Sequence, residues 1–298
     1  MDIADFSEPT RRWLDGGRHV EVDGLRIFVH ERGSGPTILL LHGFPTSCYD
    51  WRGVIDVLSR EHHCVTFDLV GYGLSDKPVA FGYSLFQQTD VTEGLARLLG
   101  VTQAHVVGHD VGQTVQAELL AREQESRLPF RILSSTVLNG STLKEMATLT
   151  QFQRLLGSND TLPQAIAICD NLGANYVEGL KALMKRPEAV TKEDATVMLE
   201  LMLHQNGNRR LPAVAAHMRE RYIHRDRWLG ALKGTKAPIQ IVWADGDPVA
   251  NVEMGRALSR EIPQARYTEL SGLGHLLIIE DPATVAEHIV QFIRSVPC

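Results

Sequence analysis

Two glycines hold an acidic residue between them in Gly108-His109-Asp110-Val111-Gly112. An apolar, β-branched segment, Ala104-His105-Val106-Val107, comes before it, and a helix-like run from Gln113 to Glu123 comes after. A buried strand, a sharp turn and a helix are therefore expected. The glycines are needed because a Cβ at either would sit where strand and helix nearly collide. Such a turn presents Asp110 at the carboxyl end of a strand, where α/β sheets carry their chemistry. A carboxylate is ionised at about pH 7 and needs no base to act as a nucleophile. It attacks saturated carbon, opening an epoxide or displacing a halide, and leaves an alkyl-enzyme ester. Ordinary esters are poor targets, because the product would be an anhydride. The alternative is a structural Asp in an unreactive turn, so a base and a second acid are required from elsewhere in the chain.

Near the C-terminus, Gly272-Leu273-Gly274-His275 puts a His in a glycine-rich loop after the last expected strand. A neutral imidazole, with an unperturbed pKa of about 6.5, can activate water. The strand Ile239 to Trp243 leads into Ala244-Asp245-Gly246-Asp247-Pro248. Asp247 lies in the loop proper, just ahead of a helix, and is the preferred acid to hold the imidazole tautomer and stabilise its charge; Asp245 is the alternative. Asn139, after the preceding strand, cannot carry the charge.

These residues need a scaffold. His19 to Asp23 and Arg26 to Glu31 alternate around Asp23-Gly24 and read as an antiparallel hairpin. Pro36 to Leu41 is a continuous apolar run, the mark of a strand buried on both faces, and it ends in His42-Gly43-Phe44-Pro45. Further strands are expected at His63 to Leu69, Ile132 to Leu138, Pro238 to Trp243 and Ala265 to Leu270. Helices are expected at Tyr49 to Glu61, Leu85 to Leu99, Met254 to Glu261 and Pro282 to Arg294. The loop Asp68 to Pro78 reads as structural, with Asp68 as a buried anchor and Gly71 and Gly73 as turn residues. Alternating strands and helices imply a mainly parallel sheet with right-handed crossovers. From Ser141 to Trp228 strand signals vanish and helical periodicities take over. The expected organisation is a core in two parts, 1–140 and 231–298, around a helical insertion, 141–230.

The 298 residues are enough for one large domain with such an insertion. Apolar content of 44% and charged content of 22% are ordinary for a soluble globular chain. A net charge of -6 gives no basic footprint, which argues against a nucleic-acid partner. No apolar run approaches the ~20 residues of a membrane span. The start, Met1-Asp2-Ile3-Ala4-Asp5, lacks the basic and apolar regions of a signal peptide. Cys48, Cys64, Cys169 and Cys298 are scattered and read as reduced thiols rather than disulfides or zinc ligands. A cytoplasmic protein without metal or cofactor, monomeric or homodimeric, is expected.

The order nucleophile, acid, His resembles that of the α/β-hydrolases. Over nearly its full length the chain resembles the branch that includes epoxide hydrolases and haloalkane dehalogenases. The stretch His42-Gly43-Phe44-Pro45-Thr46-Ser47-Cys48-Tyr49-Asp50-Trp51-Arg52 resembles the epoxide hydrolases in particular. His42 to Trp51, Asn206-Gly207-Asn208, Arg227-Trp228-Leu229-Gly230-Ala231-Leu232 and Asp247-Pro248-Val249 also resemble the mesoderm-specific transcript proteins and their bacterial relatives. The resemblance implies an α/β-hydrolase fold: an eight-stranded, mostly parallel sheet with an inserted helical cap. It implies an oxyanion hole from the amides of Phe44 and Val111 and a cis Phe44–Pro45 bond. Substrate would lie under the cap, with Trp51 and His109 among its contacts. Haloalkane dehalogenases carry Trp after the nucleophile, and fluoroacetate dehalogenases Arg. Val111 stands there instead, which counts against dehalogenation. Epoxide hydrolases use cap tyrosines to hydrogen-bond the ring oxygen. Tyr176, Tyr222 and His217, which aligns with a family tyrosine, are the candidates here. Tyr222 also falls on the apolar stripe Leu211, Val214, Ala215, Met218, where packing is its other role. The expected activity is epoxide hydrolysis of a small apolar epoxide to a vicinal diol. The alternatives are a haloalkane dehalogenase-like carbon–halogen hydrolase and a catalytically silent binding protein of the same fold.

Overall fold

Short β-branched runs with apolar residues on both faces build the middle of the sheet. The computed structural model describes residues 1–296; Cys298 lies outside them. The strands are β1 (Arg18–Val22), β2 (Leu25–Arg32), β3 (Thr37–Leu41), β4 (His63–Phe67), β5 (Gln103–His109), β6 (Arg131–Leu138), β7 (Ile239–Ala244) and β8 (Arg266–Leu270). They form one eight-stranded sheet in the order β1-β2-β4-β3-β5-β6-β7-β8. β1 and β2 are the expected hairpin, turning through Asp23 and Gly24, both at positive φ. β2 also runs antiparallel to β4, and every other neighbour is parallel. Ile38 to Leu41 and Ala104 to Val107, in the central strands, are fully buried. The carboxyl ends of β3, β5, β6, β7 and β8 therefore point the same way, and every candidate site loop leaves from that edge.

Several helices differ from expectation. The helix expected from Tyr49 to Glu61 is a tight 3-10 turn, Cys48–Trp51, followed by a helix over Arg52–Leu58. Two helices were not anticipated: Glu8–Asp15, and the single turn Leu277–Glu280 directly after His275. Asp68 is the anchor expected of it. Its two oxygens accept the backbone N–H groups of Cys48 and Leu74, at 2.7 and 2.6 Å.

Between β6 and β7 the described chain is helical, from Gln151–Leu156 to Arg225–Gly234. The boundary expected at residue 230 falls inside that last helix, which packs on the core helix Val111–Gln124. Buried Glu118 explains the docking: its carboxylate accepts from Arg122, Arg227 and the Trp228 indole at 2.7–3.0 Å. Such a charge is tolerable in the interior only because its lone pairs are filled. Further out, Asp194 on the helix Lys192–Leu203 takes Tyr49 Oη at 2.9 Å and Arg52 Nε at 2.8 Å, tying the helical segment to the β3 side of the core.

Candidate active site

Asp110 stands between β5 and the helix Val111–Gln124 at φ 48°, ψ -108°. This is an unfavourable backbone conformation for a residue with a Cβ, and such strain collects at functional turns. The neighbouring glycines have the role inferred from their spacing. A Cβ on Gly112 would overlap the carbonyl of Leu41 at the end of β3, and one on Gly108 would lie 2.6 Å from the Gly112 carbonyl. The helix is thereby pressed against the sheet edge, and Asp110 is held over it, almost wholly buried.

Both carboxylate oxygens are engaged. Oδ2 accepts the Phe44 N–H at 2.9 Å, and Oδ1 accepts Arg221 Nη2 at 3.3 Å. Phe44 is offered by the loop after β3, and the Phe44–Pro45 bond is cis. Val111 opens the helix, so its N–H has no partner within it. Burial alone would raise the Asp110 pKa. The Arg221 guanidinium, followed by His275, reverses that and holds the carboxyl well below the usual carboxylate range.

His275 Nδ1 donates to Asp247 Oδ2 at 2.7 Å. The carboxylate that reaches His275 is thus that of Asp247; Asp245 instead caps the loop by accepting the Gly272 N–H at 2.9 Å. Asp247 also accepts Asn139 Nδ2 at 2.6 Å and the amides of Val249 and Ala250 at 2.7 and 2.9 Å. Burial would lower the His275 pKa, but Asp247, with a further contribution from Asp110, raises it to about 9. The His275 loop is clamped from the helical segment. His275 N–H donates to the Leu183 carbonyl at 2.8 Å, and Glu280 accepts from Gly274, Lys185 and Arg186 backbone N–H groups. A Cβ on Gly274 would lie 2.5 Å from the Leu183 carbonyl, so this approach needs a glycine.

A cavity of about 360 Å³ opens beside these residues. It is bounded by Phe44, Tyr176, Leu180, Leu211, Val249 and His275, and is mostly apolar. Its size is at the small end of the range of about 300–1,000 Å³ usual for ligand sites.

A model of the alpha/beta hydrolase fold matches residues 36–282. The chain belongs to this family. Across 282 residues it is 35% identical to LipZ of Mycobacterium tuberculosis, covering 94% of this chain and 96% of that protein. The mesoderm-specific transcript protein of Mus musculus, the kind of relative expected from the loop motifs, is 29% identical, with 97% and 89% covered. The haloalkane dehalogenase DbeA of Bradyrhizobium elkani superposes with a TM-score of 0.79 at 21% identity, covering 94% and 98%. The protein is thus a hydrolase of the α/β-hydrolase superfamily.

Within this hydrolase, Asp110, Phe44, Val111, Asp247 and His275 converge on one sheet edge, and of these Phe44 and His275 reach the cavity wall, where Tyr176 joins them. Its hydroxyl donates to the Pro45 carbonyl at 3.1 Å. Four expectations need correction. Tyr222 is 56% exposed and points away from the site. Trp51 is fully buried behind the 3-10 turn and does not line the cavity. His109 is also buried outside the cavity wall: its Nε2 meets the His275 carbonyl at 2.8 Å, so it positions that loop. His217 packs its ring on Phe44 with centroids 5.1 Å apart. Burial, then Arg221, lowers its pKa to about 3, and its Nδ1 meets the Val214 carbonyl at 2.9 Å. A neutral ring donating from Nδ1 has only a lone pair at Nε2, so His217 is not the donor expected.

Two residues were missed. Arg221 continues the stripe Leu211, Val214, Met218 at helical spacing, and a charge on a buried face was the signal available. Lys144 follows β6, at the sheet edge where the chemistry lies, but an isolated lysine there looks like ordinary surface.

Proposed function

We propose that the protein is an epoxide hydrolase working through an ester at Asp110. The observation that carries this reading is the ionised carboxylate of Asp110 at a strained turn, beside a His275–Asp247 pair and an apolar cavity. A serine at this place would need the His for its own activation; a carboxylate leaves the His free for water. In the first step an Asp110 oxygen bonds to an oxirane carbon. The ring C–O bond breaks, its electron pair stays on oxygen, and the alkoxide takes the Tyr176 hydroxyl proton. In the second step His275 Nε2 takes a proton from water, whose oxygen bonds to the ester carbonyl carbon. The amides of Phe44 and Val111 receive the oxyanion. Collapse expels the diol oxygen, which takes the proton from His275, and the proton left on Asp110 returns to Tyr176.

The pKa of His275 fits this order. At about 9 the imidazole is protonated while Asp110 is charged. Ester formation removes the charge of Asp110, so the pKa falls and a base forms when water must be activated. A second reading, carbon–halogen hydrolysis, is favoured by one observation: the buried cations Arg221 and Lys144 beside Asp110 offer a place for a leaving halide that Val111 does not.

The test is intact-protein mass spectrometry of His275→Ala after incubation with epoxides and haloalkanes. A gain equal to a whole epoxide, mapped to Asp110, is the expected result. An alkyl gain without halogen moves the assignment to dehalogenation. No adduct from a broad panel refutes the ester mechanism and leaves the binding-protein alternative.

A further inference from the structure

Two buried cations, Arg221 and Lys144, stand on segments that meet beside Asp110. Arg221 is 3% exposed; its Nε donates to Thr114 Oγ1 at 3.0 Å and its Nη2 to Asp110 at 3.3 Å. Lys144 is 2% exposed, and its ammonium has no hydrogen-bond or ion-pair partner among the described residues. Its turn, Lys144–Met146, packs against the helix His217–Ile223 that carries Arg221, and burial, then Arg221, lowers its pKa to about 8, while Asp110 acts the other way. Asp110 pairs with Arg221 and Asp247 with His275, so neither of these carboxylates is paired with Lys144. Buried ammonium without an anion is costly, and proteins keep such groups where a ligand completes the pairing.

When Asp110 becomes an ester its charge disappears, and Arg221 loses its partner. An apolar substrate would then leave both Arg221 and Lys144 without an anion. A substrate bringing its own carboxylate would give them one before and after the ester forms. From this geometry we infer that Arg221 and Lys144 form an anion subsite for a carboxylate next to the electrophilic carbon, with the apolar remainder in the cavity lined by Leu180 and Leu211. The substrate class is then a 2,3-epoxy carboxylic acid with an apolar substituent. This rests on the proposed Asp110 ester chemistry and revises its substrate from a neutral epoxide to an anionic one. The incoming carboxylate takes the guanidinium in exchange for Asp110 Oδ1. That frees the nucleophile, whose two oxygens are otherwise both engaged.

The test compares trans-2,3-epoxyhexanoate with its neutral amide as alkylating agents of His275→Ala, followed by intact mass. Binding of unreactive hexanoate and hexanamide to the unmodified protein is measured by calorimetry. A charge-assisted pair to a buried cation corresponds to a preference for the acid of about ten- to a hundredfold. That preference is expected to fall by a similar factor when Arg221→Leu or Lys144→Met is added, and to return in part with Arg221→Lys. The ratio is the readout, so general damage to a variant cancels. Equal alkylation by acid and amide overturns the anion subsite while leaving the ester mechanism standing. Hexanoate binding that depends on Arg221 without any adduct supports the subsite and refutes the ester mechanism. No adduct and no preference for hexanoate overturns both.

Discussion

Replacing Asp247 by Asn removes one charge and turns one acceptor oxygen into a donor NH₂ group, and the structure dictates what each change does. The carboxylate accepts from two donors on each side: His275 Nδ1 and Asn139 Nδ2 on one oxygen, the amides of Val249 and Ala250 on the other. In Asp247→Asn the new NH₂ must face one of these pairs. Facing Val249 and Ala250, it opposes two backbone donors that cannot adapt. Facing His275, it lets the imidazole switch tautomer and accept, but it still opposes Asn139, whose own oxygen is held by the Ala244 N–H at 2.9 Å. At least one buried donor is left unpaired, at a cost of about 1–3 kcal/mol. The tautomer that adapts carries its proton on Nε2 and cannot take one from water. The general-base contribution, about 10²–10⁴-fold, is then lost from ester hydrolysis, whereas ester formation does not use that base. Adding Asn139→Asp separates the two effects. The new carboxylate at position 139 accepts from the amide at 247 and still accepts from Ala244, so every donor is paired again. His275 nevertheless still faces an amide NH₂. The double variant is expected to recover most of the lost stability and none of the lost hydrolysis. Urea denaturation reads the first, and the decay of the ester by time-resolved intact mass reads the second. Ester hydrolysis at the normal rate in Asp247→Asn, or recovery of hydrolysis together with stability in the double variant, would refute the reasoning.

Other consequences follow from the same geometry. Because ester formation removes the Asp110 charge, hydrolysis of the ester should rise with pH and level off at an imidazole pKa below the resting value of about 9. Below that pKa the base is protonated, so the ester should accumulate as pH falls; rapid-quench mass spectrometry across pH checks this, and a plateau reached only above 9 contradicts it. Tyr176→Phe should slow ring opening by about 10²-fold or more while leaving decay of preformed ester nearly unchanged, as single-turnover kinetics would show. Gly112→Ala drives a methyl into the Leu41 carbonyl and should cost about 1–3 kcal/mol or more in denaturant unfolding. Tyr222→Ala, at an exposed position, should change stability by no more than about 0.5 kcal/mol and leave kcat/KM unchanged.

What was legible in the chain depended on how local its cause is. Gly108, Asp110 and Gly112 are constrained by contacts within one strand–helix turn and the adjacent strand end, so their spacing already states the geometry. The same holds for His275 between Gly274 and the short helix Leu277–Glu280, and for Asp247, whose loop is closed by its own two following amides. The sheet was equally readable, because strands buried on both faces leave continuous apolar runs. The helical segment was readable as helical, but not in which faces it turns inward, and the stripe Leu211, Val214, Met218 shows why. Helical spacing allows either 221 or 222 as the next inward position. The chain breaks at Ala215 and Ala216 between the helices Gly207–Val214 and His217–Ile223, and the restart turns Arg221 inward and Tyr222 out. That rotation is set by packing against Thr114 and Asp110, more than a hundred residues away. Tyr222 therefore stood among the candidates, while the arginine beside it was passed over. The residues proposed to carry the reaction sit on the sheet edge, where short-range sterics hold them. Those proposed to face the substrate come from segments whose orientation is decided at long range. A relative that keeps the elbow, the His loop and the acid but changes positions 144 and 221 should therefore keep the chemistry of Asp110 while losing the preference for a carboxylate beside the reacting carbon.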